Sequence, residues 1–131
     1  MADLLEHLNQ AHHTERCAQY ILDSQPKYRD WAITAAFYAA LHYADACYSL
    51  PGKADEASAH TVRARQLEGK CRAAFLIYRK LDDASRNVRY LRGSGSWQRV
   101  YSEENVKTLL DSLVKFRQEL EKETKIDLSS K

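Results

Sequence analysis

Only four glycines and two prolines punctuate the 131 residues, at Pro26, Pro51-Gly52, Gly69 and the Gly93–Gly95 segment. A sheet built from short strands needs a turn signal about every 8–12 residues, and this chain has too few breakers to supply them. Between the breakers Ala, Leu, Arg, Lys, Glu and Gln dominate, all good helix formers. The expected fold class is all-α, an antiparallel bundle of about four to five helices. Length and a hydrophobic fraction of 44% fit one domain over 1–131, with its core over about 4–122. The tail over 124–131 is expected to fray.

The apolar spacing divides the chain. Asp3 and Glu6 resemble a capping box, and Leu4, Leu8, Ala11, Ala18 and Leu22 recur at helical spacing to about Ser24. Pro26 then breaks the chain, and a second helix runs from near Lys27 until Pro51-Gly52 stops it. That helix is apolar nearly all round. Ala32, Ala35, Ala36, Ala39, Ala40, Ala44 and Ala46 alternate with Trp31, Ile33, Phe37, Tyr38, Leu41 and Tyr43, which predicts a central helix packed from several sides. Helicity resumes near Ser58 or His60, with a possible falter at Gly69, where Gly costs about 1 kcal/mol relative to Ala. Beyond Cys71, Ala74, Ile77, Leu81, Ala84, Val88 and Leu91 form one stripe. Ser102 opens the last helix, whose inner face is Val106, Leu109, Leu110, Leu113, Phe116 and Leu120.

Global charge is close to balanced, +2 with 20 basic and 18 acidic residues, so electrostatic function has to rest on local patches. Cys17, Cys47 and Cys71 are an odd count with no metal-ligand spacing, and read as small apolar core residues in a reducing cytosol. The N-terminus lacks the pattern of a signal peptide, and the Trp31–Leu50 stretch is interrupted by Thr34, His42 and Asp45, against a membrane span. The expected location is cytoplasmic. No phosphate loop, zinc motif or nucleophile elbow occurs, so neither a metal nor a cofactor is expected.

Two groupings offer chemistry. Arg65, Arg72, Arg79 and Arg86 stand seven apart and would share one face of a continuous helix, drifting only about 20° per step. Arg89 and Arg92 follow at one-turn intervals. Guanidinium forks suit phosphates, although Asp82 and Asp83 lie within reach as ordinary ion-pair partners. The second grouping is Tyr38, His42 and Asp45 on one face of the second helix. A carboxylate one turn from a histidine can orient it for acid–base or phosphate work, and a hydrogen-bonded core histidine is the plainer alternative. Trp97 and Tyr101 flank the arginine helix, positioned either to stack a base or to seal the bundle's end.

The run from Tyr28 to His42, with its aromatic pair, alanines and closing histidine, resembles the second helix of HEPN domains. The run from Leu81 to Tyr90, with Arg86-Asn87 ahead of a tyrosine, resembles the family's fourth helix, and His60 opening the intervening helix also fits. The resemblance spans roughly residues 4 to 122. It implies a helical bundle, usually dimeric, from toxin–antitoxin, defence or RNA-processing systems. Many members are metal-independent ribonucleases carrying an Arg followed after a short spacer by a His. Arg86-Asn87 matches the first half of that signature. The positions for the His hold Leu91, Arg92 and Gly93, and no histidine follows His60. An arginine there binds phosphate but cannot shuttle a proton at neutral pH.

The leading expectation is therefore a non-nucleolytic HEPN-like domain that binds RNA or a nucleotide. Arg86, Asn87, Arg89 and Arg92, with Tyr38 and Asp45, would form the site, in a homodimer or beside a nucleotidyltransferase-type partner. A ribonuclease toxin using Arg86 and His42, and a purely structural interaction module, are the alternatives.

Overall fold

The structure, a computed structural model, describes residues 4–48, 56–90 and 96–129. Asp3, Pro51-Gly52, Leu91, Arg92 and the Gly93–Gly95 segment lie outside the described residues. Among the described residues six α-helices follow in order: α1 (Leu4–Ser24), α2 (Arg29–Cys47), α3 (Glu56–Lys70), α4 (Arg72–Arg89), the single turn α5 (Trp97–Val100) and α6 (Glu103–Thr124). Among the described residues there is no strand, and no helix is long and apolar enough to cross a membrane.

α2 is the axis of the molecule. Twelve of its residues are buried, seven of them alanine or threonine, and α1, α4 and α6 all pack on it. Ala11 and Ala18 of α1 are fully buried, as are Ala32, Ala36, Ala39 and Ala40 of α2. Methyl groups on both helices let the backbones approach closely, which makes α1–α2 the most extensive helix pairing. Ile33, Phe37 and Tyr43 fill the remaining gaps. Trp31 and Leu4, assigned to inner faces by spacing, are instead exposed, because each stands in the first turn of its helix where neighbours cover only part of the circumference. Pro26, which has no N–H to lose, opens a short 3₁₀ turn over Pro26–Tyr28 between α1 and α2.

The chain breaks at Cys71 rather than at Gly69. Cys71 is extended (φ −151°, ψ 82°), buried, and its thiol donates to the Glu119 carbonyl. On one unbroken helix Arg65 and Arg86 would stand about 32 Å apart. Here His60, Ala64 and Arg65 of α3 line the same cleft as Phe75, Asp82 and Arg86 of α4. The break therefore folds α3 back along α4, and the continuous arginine stripe suggested by the spacing does not form. The buried face of α4 is Ala74, Tyr78, Leu81, Ala84, Ser85 and Val88. Tyr78 takes the place expected for Ile77, which is only partly buried.

α6 buries the six residues its periodicity specifies. The Ser102 hydroxyl accepts from the Asn105 N–H at its start, and Lys125 closes it in the left-handed region (φ 63°). The tail does not fray at residue 124 as expected. Lys125 turns the chain back, Ile126 packs on the core and Leu128 is fully buried, its N–H donating to Glu121 Oε2 at 2.9 Å.

Candidate ligand-binding site

The C-terminal end of α4 gathers most of the residues singled out by the sequence. Arg86 reaches back one turn to Asp82, with Nε donating to Oδ1 at 2.9 Å. The carboxylate raises the guanidinium pKa still further. Because the bond runs through Nε, both terminal Nη groups keep their donors, and the side chain remains 42% exposed. Arg89 donates from Nε to the Ser85 carbonyl and from Nη1 weakly to the Tyr38 hydroxyl at 3.4 Å. Its guanidinium carbon stands 5.1 Å from the centre of the Tyr90 ring and 5.9 Å from that of Tyr38. Tyr38 enters from α2, one turn before His42. Asn87 donates to the Tyr101 hydroxyl at 2.9 Å. Arg86, Asn87, Arg89 and Tyr38 thus meet at one end of the bundle.

Arg29 organises that end and was not distinguished by sequence reasoning. Its Nε donates to the Tyr101 carbonyl at 2.7 Å, Nη1 to Pro26 and Nη2 to Gln98, while the guanidinium lies over the Trp97 ring. Three carbonyls and an indole from two segments, the Pro26 turn and the Trp97–Tyr101 stretch, converge on one side chain. No local spacing predicts such a convergence. Trp97 and Tyr101 pack against the core, so they seal the end of the bundle.

His42 and Asp45 go elsewhere. Both carboxylate oxygens of Asp45 accept from Arg63 of α3, at 2.7 and 2.9 Å, and both side chains are buried. This closed pair leaves Asp45 nothing to offer an external anion. His42 Nδ1 meets His7 Nδ1 of α1 at 3.2 Å. One ring must donate and the other accept, so the pair shares a single proton. Burial above all, then His7 and Arg63, lower the His42 pKa against the opposing pull of Asp45. His42 is thus paired with His7 and Arg86 with Asp82, and no hydrogen bond joins the two among the described residues.

A second buried polar cluster, also invisible in the sequence, joins α1, α2 and α6. The Tyr43 hydroxyl donates to Glu15 at 2.7 Å and lies 3.0 Å from His12 Nδ1, while Arg117 approaches Glu15 at 3.3 Å. Burial and Glu15 push the phenol well above its ordinary range. Tyr43 has no access to solvent, and the cluster is a structural tie between three helices.

No family model, curated protein or solved structure matches the chain.

Proposed function

We propose that this is a HEPN-like, non-nucleolytic domain that binds RNA or a nucleotide at the C-terminal end of α4, as a homodimer or beside a nucleotidyltransferase-type partner in a toxin–antitoxin, defence or regulatory system. One observation carries the reading. Arg89 lies against two phenol rings, and Arg86, one turn away, keeps its Nη donors outward. Guanidinium groups beside aromatic faces suit a polymer that alternates phosphates with flat bases. The weak Arg89–Tyr38 bond gives way readily to a charge-assisted bond with phosphate.

Non-nucleolytic binding is favoured over cleavage by the state of the histidines. The position that completes the ribonuclease signature holds no histidine, and His42 is committed to His7. Metal-independent RNA cleavage needs a proton carrier beside the phosphate site.

The test is fluorescence anisotropy with a labelled single-stranded RNA and a nucleotide panel, at about 50 and about 200 mM salt. Binding should weaken with salt, and Arg86→Ala or Arg89→Ala should each lower affinity about tenfold with no RNA shortening on a gel. No binding at the lower salt by the folded wild-type protein overturns the proposal. Cleavage that disappears in His42→Ala would instead establish the enzyme. Light scattering should give twice the 15.1 kDa chain mass.

A further inference from the structure

We infer that the cleft between α3 and α4 is a second site, one that takes a small organic monoanion carrying a planar ring. Its volume is about 350 Å³, within the range of about 300–1,000 Å³ common to small-molecule sites. Phe75 and Tyr78 of α4 and His60 of α3 line it, and the His60 ring lies nearly parallel to Phe37 beneath (15°). The walls are therefore ring-rich, suited to a flat ligand.

Charge sets the other half of the specificity. Among the described residues two carboxylates line the cleft, and each is answered: Glu68 by Arg72 at 3.7 Å and Asp82 by Arg86 at 2.9 Å. Arg65 lines the same cleft and joins no ion pair among the described residues. Among the described residues, one unanswered cation beside two paired carboxylates calls for a single negative charge and disfavours a dianion. Tyr78 adds ring surface to the wall, while its hydroxyl is buried beside the Arg63–Asp45 pair and is not open to a ligand. Arg89, Asn87 and Tyr38 do not line the cleft, so the inference stands apart from the RNA-binding reading and shares only Arg86 with it.

Titration calorimetry on the full chain tests it, with indoleacetate and cyclic AMP as monoanionic probes, indoleacetamide as the neutral analogue and phenyl phosphate as the dianion. At least one monoanion should bind, with the amide and the dianion about tenfold weaker or worse. Arg65→Ala should lose about tenfold and Arg65→Lys less, while Arg89→Ala binds as wild type. Arg65 is exposed, so an unchanged melting temperature for its variants separates lost binding from lost fold. Absence of binding by both monoanions overturns the inference, as does unchanged affinity in Arg65→Ala. Displacement of a bound probe by short single-stranded RNA also overturns it, because the cleft would then be part of the RNA path and not a separate site.

Discussion

Arg63 and Asp45 form a two-pronged ion pair between α3 and α2, with both members at least nine-tenths buried. The pair matters because it ties α3 to the central helix α2. Arg63 and Leu67 are its buried side chains among those described, and Thr61, Arg65, Glu68 and Lys70 are exposed. Removing one partner leaves a desolvated charge with nothing opposite. Asp45→Ala or Arg63→Ala should therefore cost about 3–5 kcal/mol in urea unfolding, and hydrogen exchange should accelerate first over Glu56–Lys70. Replacing both at once with Asp45→Leu and Arg63→Met should cost much less than either alone. Equal losses in the double and single variants would mean that α3 is held by something other than this pair.

Acidification should loosen the α1–α2 interface. His42 and His12 both have pKa values below the ordinary 6.5, burial being the main cause for each. A base whose folded pKa is depressed binds its proton more readily in the unfolded chain. Its contribution to stability is therefore complete above about pH 6.5 and is lost as pH falls from there towards the lowered folded values. Melting temperature should decline between pH 7.5 and 5.5 (about the span over which histidine changes charge). His42→Gln should flatten part of the decline. A melting temperature that rises over that interval would show that the histidines are charged in the fold.

The segment after α6 is a structural part of the domain. Leu128 is fully buried and its N–H is bonded to Glu121, so Leu128→Ala should destabilise by about 2–5 kcal/mol. Truncation after Thr124 should do at least as much. If the truncated chain melts at the wild-type temperature, the segment contributes nothing to the core.

Arg29→Ala should lower stability by about 1–3 kcal/mol, since the Tyr101, Pro26 and Gln98 carbonyls lose a charged donor together. In a Trp31→Phe background, which leaves Trp97 as the sole indole, the same change should move the fluorescence emission as the guanidinium leaves the ring. Arg29→Lys should rescue little, because an ammonium cannot address three carbonyls and a ring face at once. Full rescue by lysine would show that charge alone is enough.

Along this chain, what repeats locally was readable and what converges from afar was not. The helix assignments, the all-round burial of α2 and the six inner residues of α6 follow from periodicity, capping and breaker placement. These are properties of neighbours within a turn or two. Of the candidate site, Arg86, Asn87 and Arg89 were readable as a group because they share one helix end. Asp45 was matched with His42, its neighbour on the same helix, yet its oxygens went to Arg63 eighteen residues on. His42 in turn took His7, thirty-five residues earlier. The reversal at Cys71 is a third such case, since it brought Arg65 and Arg86 to one cleft and ended the stripe that sevenfold spacing implied. Helix type and inner face are decided by short-range sterics and apolar spacing, which the sequence carries on its own. Which charge meets which is decided only when helices dock, because a buried polar group takes whatever partner the docking presents at about 3 Å.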